Sequence, residues 1–371
     1  MEVMQLMEDW KGFSSVREVS KPEDWEQRLT EVANLLYGGG IAAHRREFLL
    51  REAMTTSDFP YLFGDILDRQ TLGIYNTVPA TWKQYMLGKK VRDFRTARIF
   101  GVSGLDTLLN VVEEKGEYPA STKDEYYYDI AVKKMGRQFD ISWETLINDD
   151  LSLLDDTPRR FAMAASNTEH HRAVLTYAGD IGTHGAGNLY ENAVNSDAVD
   201  LTIANLEDAV AQMATFRSRS GMPMVNKPKY LVVPPELEFT ARQILTSTHK
   251  YQLATGDTDE VLGPFPTANV IGQYGLQLIV EPWLTYIDAG ADDEWYLFAD
   301  QNQVASVAYA HLTGHEKPEI CMRSSDKLSI GGGSIGPLAG DFATDNVFYR
   351  VRVVFGTARM DWRGTYYGRG A

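Results

Sequence analysis

The sequence predicts an α+β protein with a helical N-terminal arm, a long polar-tipped β-hairpin, a long helix, an α/β unit and a returning β segment. Three observations carry that reading. Side chains alternate in character from Phe94 to Val102 and again from Tyr126 to Val132, the period of two that sends successive residues to opposite faces of a strand. Between Pro158 and Tyr177, apolar and small residues recur at helical spacing, with turn-forming residues at both ends. From Tyr230 onward, the runs Tyr230–Val233, Leu276–Val280 and Trp295–Phe298 alternate with helical stretches, as they do in an α/β unit.

Composition bounds the function. In 371 residues, 44% are hydrophobic and 23% charged, which excludes wholesale disorder. Lys and Arg number 36 against 51 Asp and Glu, a net charge of -15, which opposes gripping a nucleic-acid backbone. The single cysteine, Cys321, cannot form an internal disulfide or a structural zinc site. Met1 to Trp10 is acidic, without the basic start and apolar run of a signal peptide, and no stretch of about 18 apolar residues occurs. The expectation is a protein that neither spans a membrane nor is exported by a standard signal.

The first 90 residues read as an arm. Trp25, Leu29, Val32 and Leu36 recur at spacings of three and four until Gly38-Gly39-Gly40. A second helical stretch covers Ile41 to Met54, Thr55 to Pro60 breaks it, and a third spans Tyr61 to Tyr75. Short helices separated by breakers need not make a compact core and could equally be an arm that packs on something else, with Trp25 a candidate contact. Residues 91–142 form the hairpin. About twenty residues rich in Glu, Gly, Lys, Pro and Ser, Gly104 to Asp124, separate its strands and include Glu113-Glu114-Lys115-Gly116-Glu117. Such an excursion buries too little surface to stand alone and must lean on another one. Glu113, Glu114, Lys115 and Lys123 at its tip are therefore candidate contacts with a neighbouring chain. So are Tyr126, Tyr127 and Tyr128, which put aromatic rings on both faces of one strand.

Residues 143–225 hold a short helix, Trp143 to Asn148 behind Ser142 as cap, and then the long helix. Asp156 or Thr157 suits its cap, Pro158 its first position and Gly179 its stop. About twenty residues at 1.5 Å each make a rod of roughly 30 Å. Its face of Phe161, Ala165, Ala173, Leu175 and Tyr177 calls for close packing. Leu201 to Ser220 is a further amphipathic helix, ended by Gly221-Met222-Pro223. Residues 226–312 are the α/β unit, with a helix from Pro234-Pro235-Glu236 to Leu245. Residues 313–371 return to β structure at Glu319–Met322, Val347–Phe355 and Ala358–Trp362. Arg350 and Arg352 there face away from Tyr349, Val351 and Val353. No internal repeat is visible.

Four constellations invite a catalytic reading, and each has a plainer one. Gly331-Gly332-Gly333-Ser334-Ile335-Gly336 matches both a dinucleotide loop and a nucleophile elbow. No helix follows to bind phosphate, and no histidine follows His315 to serve as base, so it reads as a loop. His311 and His315 lack the glutamate of a metalloprotease motif and are separated by Gly314. Within Glu169-His170-His171 the two rings point about 100° apart on a helix, so they read as packing or interface histidines. The pairs Asp149-Asp150, Asp155-Asp156 and Asp292-Asp293 fall at helix starts and turns. No catalytic, cofactor or metal residue is assigned. Nineteen tyrosines, clustered at 126–128 and 366–367, fit an assembly component whose rings are buried against neighbours.

In their order the segments resemble a tailed-phage major capsid protein of the Hong Kong 97-type fold, and within it the Mu-like major head subunits. The resemblance is carried by Thr56-Ser57-Asp58-Phe59-Pro60, Ile141 to Asp150, Tyr230 to Glu236, His315 to Ile320, Val353 to Gly356 and Met360 to Gly364. It implies that Phe94–Ile141 is the E-loop reaching over an adjacent subunit. It further implies that Pro158–Tyr177 is the spine of the peripheral domain and that 226–312 is the axial domain. The implied protein is a non-catalytic head subunit of the virion that assembles in the host bacterial cytoplasm as hexamers and pentamers. The icosahedral shell encloses double-stranded DNA without reading its sequence. The implied partners are a portal, a possible decoration protein and, because the fold-like pattern starts near Lys21, a separate scaffolding protein. Some relatives cross-link Lys to Asn; Lys115 and Lys123 lie in the hairpin, but no matching residue pattern carries that chemistry over. The alternatives are an encapsulin-like compartment shell or a metal-dependent hydrolase using His311, His315 and the paired aspartates.

Overall fold

A computed structural model describes residues 69, 71–104, 107–121, 123–142, 151–255, 261–288, 292–323, 325–327, 330 and 340–370. The side chains at 141, 151–158, 251–255, 261–265 and 322 are excepted. The strands and helices follow in chain order. The first part contains β1 (Leu87–Val91), β2 (Ala97–Ser103), β3 (Asp124–Ile130), β4 (Lys133–Ile141), α1 (Leu151–Leu175), β5 (Ser196–Asp197) and α2 (Ile203–Thr215). Next come β6 (Pro228–Val233), α3 (Glu238–Thr246), β7 (His249–Thr255), β8 (Val261–Ala268), α4 (Ile271–Tyr274), β9 (Gln277–Val280) and α5 (Pro282–Ile287). The chain closes with β10 (Glu294–Ala299), β11 (Val307–Leu312), β12 (Glu319–Met322), β13 (Val347–Arg359) and β14 (Thr365–Arg369). The mixed α+β class is as expected. Two compact units result, one within 1–79, 133–169 and 312–355, the other within 80–132, 170–311 and 356–371.

In the first unit β13 pairs antiparallel with β4, from Val347↔Ile141 to Phe355↔Lys133. It also pairs with β12, from Glu319↔Arg352 to Met322↔Tyr349. Val347, Tyr349, Val351 and Val353 are buried while Arg350 is exposed, the alternation read from the sequence. Phe139 stacks on Tyr349 at 5.1 Å and meets Phe161 of α1 at 4.7 Å. Gly136 is dictated by close approach, since a Cβ there would lie 2.4 Å from the Val351 carbonyl oxygen. The small residues Ala162 and Ala165 admit Ile74 and Tyr75, and the Tyr75 hydroxyl donates to the buried Glu169 carboxylate at 2.6 Å.

On the cross-strand pair of β12 and β13, Glu319 accepts hydrogen bonds from His315 and Arg352. Burial pushes the Glu319 carboxyl up, but those two bonds outweigh it and hold the group below the ordinary glutamate range. The carboxylate adds stability above the unfolded pKa of about 4.3, and that contribution is lost as pH falls through the lowered folded value. Glu319→Gln is therefore expected to flatten the fall in thermal midpoint between about pH 5 and pH 3. Superimposable profiles for the two proteins would contradict this.

The second unit is built on a mixed sheet of order β5-β14-β10-β6-β9. β10 is antiparallel to β14 and β6, while β6–β9 and β14–β5 are parallel. All six residues of β10 are buried, because the sheet is covered on both faces and the strand reads as one continuous apolar run. Trp295, Leu297 and Ala299 join Leu206, Val210 and Met213 of α2 and Ala241 and Ile244 of α3. On the other face, Tyr296 and Phe298 meet Tyr177 at 5.2 and 5.1 Å, and Phe298 stacks on Tyr85 at 4.8 Å. Each hydroxyl in this layer finds a partner, as buried tyrosines require. Tyr85 and Tyr177 share a 2.9 Å hydrogen bond, and Tyr296 and Tyr367 donate to the buried Glu294 at 2.6 and 2.7 Å. Burial pushes the hydroxyls of Tyr85, Tyr177, Tyr190 and Tyr296 well up.

Several expectations are corrected. α1 starts at Leu151 rather than at Pro158; a proline inside a helix forfeits one amide bond, and the helix here continues through it. Leu175 is exposed rather than packed, whereas Gly179, at φ 59°, does lie in the chain reversal that follows the helix. α2 is shorter than Leu201–Ser220 and is capped by the Thr202 hydroxyl, which accepts from Asn205 N at 3.2 Å. The hairpin ladder ends at Ile130, and β4, assigned to it from sequence, pairs with β13 instead. Strand β14 inserts between β5 and β10 rather than accompanying β13. Tyr366 and Tyr367 thus lie in the unit's own interior, not against a neighbour. The β7–β8 hairpin was not anticipated. Pairing partners far apart in sequence leave no local signal. The helices at 25–36 and 41–54, most of 61–75 and the one at 143–148 lie outside the described residues.

Candidate functional site

Among the described residues, the hairpin and its tip carry a run of exposed large apolar side chains: Phe100, Val102, Leu108, Leu109, Val111, Tyr118 and Tyr127. β2 and β3 pair antiparallel from Ala97↔Ile130 to Ser103↔Asp124, and its two faces differ. On the outer face Phe100 and Tyr127 are exposed, with ring centroids 6.3 Å apart. The Arg98 guanidinium lies 4.4 Å from the Tyr127 ring and 3.6 Å from Asp129. On the inner face Tyr126 and Tyr128 meet edge to face at 5.6 Å, and Arg219 sits over them at 4.1 and 5.7 Å. Arg219 Nη2 also donates to the Tyr128 hydroxyl at 3.2 Å, and Gly104 N donates to Ser220 Oγ at 2.8 Å. Gly101 faces Tyr126 so closely that a Cβ would stand 2.2 Å from its ring. Burial raises the Tyr128 hydroxyl pKa and Asp361 adds to this, while Arg219 opposes both.

The clamp is itself held. Residues 216–223 reverse through Gly221 at φ 77°, closed by Ser218 N donating to Met222 O at 2.8 Å. Arg363 Nε donates to Arg217 O at 2.6 Å and pairs with Asp361 at 3.1 Å. Trp362, next to it, stacks on His184 at 4.1 Å. The surface that the hairpin needs is thus supplied partly by its own chain. Arg219→Ala removes a cation–π contact and a hydrogen bond, so about 0.5–2 kcal/mol of local stability should vanish. Hydrogen exchange of β2 and β3 should quicken several-fold while that of β10 stays unchanged; β2 and β3 rates unchanged from the wild type would refute the clamp.

Past the ladder the chain is open. Leu109 and Val111 are 97% and 98% exposed, and Leu108 and Tyr118 nearly so. Glu113 O accepts from Gly116 N at 2.8 Å, forming a turn with Lys115 at φ 61°. Lys123 pairs with Glu125 at 2.7 Å. Of the residues singled out from sequence, Glu113, Glu114, Lys115, Lys123 and Tyr127 are exposed here. Tyr126 and Tyr128 are half-buried under Arg219, and Trp25 lies outside the described residues. Sequence reasoning missed Arg219 and Ser220 because it extended a helix over them; the Gly221-Met222-Pro223 turn beside them was the available signal.

The other constellations are engaged structurally. His311 is buried on β11, and His315 is bonded to Glu319. His170 Nε2 lies 2.6 Å from Glu281 Oε2, and His171 packs on Trp283 at 5.5 Å. Asp293 faces Arg369 at 3.8 Å. Among the described residues no three His, Cys, Asp or Glu side chains are grouped to hold a metal, and no helix is long and apolar enough to cross a membrane. Gly331–Gly336, Asp149-Asp150 and the side chains of Asp155-Asp156 lie outside what is described.

A family model described as phage capsid protein matches residues 126–368. No curated protein matches the chain by sequence. Among solved structures, one from Gordonia phage Cozz is similar at 14% identity, TM-score 0.49, over 79% of this chain and 86% of that one. One from Mycobacterium phage Ogopogo is similar at 13% identity, TM-score 0.44, over 78% and 91%. A holo encapsulin complex from Synechococcus elongatus is similar at 10% identity, TM-score 0.43, over 79% and 88%.

Proposed function

The chain belongs to the phage capsid protein family and is a subunit of a phage head shell, and from that premise we propose how it builds one. It adopts the Hong Kong 97-type plan, with the β2–β3 hairpin as the E-loop, α1 as the spine of a peripheral domain and the sheet around β10 as the body of an axial domain. Copies assemble as hexamers and pentamers of an icosahedral shell around double-stranded DNA. The role is mechanical: contacts between copies bury area, and mass action holds the lattice. A net charge of -15 suits a container that lets its genome slide during filling.

The observation that carries the proposal is the hairpin tip, where Leu108, Leu109, Val111 and Tyr118 are exposed beyond a clamped stem. Apolar side chains at that density on an exposed segment mark an interaction surface. Electron microscopy of the full chain, expressed alone and with a scaffolding protein and portal, tests it. Closed shells or rings of five and six are expected, and filled shells should hold nucleic acid rather than protein cargo. A compact monomer or dimer under every condition would overturn the proposal.

A further inference from the structure

We propose that the hairpin is charge-polarised, so that the acidic tip of one copy, Glu113, Glu114 and Glu117, seats on the basic segment Lys89 to Arg95 of a neighbouring copy. This rests on the hairpin being an intersubunit element and names what its tip meets. In a chain of net charge -15, the seven residues Lys89-Lys90-Val91-Arg92-Asp93-Phe94-Arg95 carry four basic side chains against one acidic. All four basic side chains are exposed. Asp93 Oδ1 accepts from Arg95 N at 3.1 Å, so part of the single acid's bonding capacity goes to shaping this bend. The tip turn has the opposite balance, with Glu113, Glu114 and Glu117 around Lys115, all exposed.

The basic segment precedes the first residue of β2 and the tip follows its last, so the length of the hairpin stem separates the points where they leave it. Arg95 stands two residues before β2, and the tip follows Ser103 at the far end. A seven-residue strand separates its ends by roughly 20 Å, beyond the Debye length of about 10 Å at 0.1 M salt. One copy's tip is thereby kept from neutralising its own base through solvent. Hairpins with unlike ends attract head to tail and repel tip to tip. That favours a heterologous contact, which closes into rings, over a two-fold pairing of tips. Leu108, Leu109 and Val111 supply apolar area beside the acids, while the charges set orientation and reject the like end.

Charge reversal in the full-length chain tests the contact, read by sedimentation and electron microscopy. Reversing the tip (Glu113→Lys, Glu114→Lys, Glu117→Lys) or the base (Lys89→Glu, Lys90→Glu, Arg92→Glu, Arg95→Glu) should each cut shell yield about tenfold or more. Combining both sets in one chain should bring it back to within about threefold of the wild type. Circular dichroism and urea midpoints of the unassembled subunits check that each variant folds. Folded single reversals that assemble like the wild type, or a combined variant no better than either, would overturn the contact. Normal shells from the base reversal that lose co-purified nucleic acid would overturn it in favour of a polyanion on the basic segment. A wild-type chain that forms no shells would instead overturn the reading beneath it, whereas wild-type shells indifferent to reversal overturn only this contact.

Discussion

Removing residues 108–121 is expected to abolish shell formation and leave a folded subunit. Six residues, 104–107 with 122 and 123, still connect Ser103 to Asp124, which are register partners. The Arg219 clamp on Tyr126 and Tyr128 is retained, and so is the sheet around β10. The excised side chains Leu108, Leu109, Val111 and Tyr118 contribute nothing to the interior because they are exposed. Covering three aliphatic side chains on a neighbour contributes about 1.5–3 kcal/mol each. Losing roughly 5 kcal/mol per contact weakens each one by a factor of several thousand. Urea midpoints within a few tenths molar of the wild type, together with no sedimenting particles, are the expected pair of results. Particles of normal size from the shortened chain would remove the tip from the assembly mechanism.

His170→Ala is expected to destabilise the second unit from outside its apolar core. Glu281 is fully buried, and its carboxylate has His170 Nε2 at 2.6 Å, the Thr81 hydroxyl at 3.3 Å and the backbone amide of Trp283 at 3.3 Å. Deleting the imidazole takes the shortest of three hydrogen bonds from a buried acid, a loss that costs about 1–3 kcal/mol. Adding Glu281→Gln to the same chain removes the charge while keeping an acceptor for the α5 cap, so about half of the loss should return. Urea unfolding of the four proteins in the cycle measures this directly. Additive effects would show that the two side chains are not energetically coupled.

Particular elements show what could be read in advance. Strands β2, β3, β12 and β13 were legible because half-burial on a pleated ribbon leaves a period of two in the sequence. The continuous apolar run of β10 was legible because both faces of that strand are covered. The start of α1 was misread because Asp155 to Pro158 offers a local cap that continued helix formation overrides. At the candidate site, the exposed charged tip could be foreseen from composition, but Arg219 could not, since a cation–π clamp joins residues about ninety positions apart.

By itself the sequence determined the α+β class, the hairpin with its polar tip, the small-residue face of the long helix and the acidic balance of the whole. Each is a local or summed property, written in spacing, turn chemistry or charge. Only the tertiary structure decided that β14 completes the sheet beside β10, that β4 leaves the hairpin for β13, and that Tyr366 and Tyr367 line an interior. It also decided which inner-face tyrosines Arg219 holds. Strand partners are chosen by burial and backbone pairing between segments far apart along the chain, and the free energy of that choice belongs to the assembled layers rather than to any one stretch of residues.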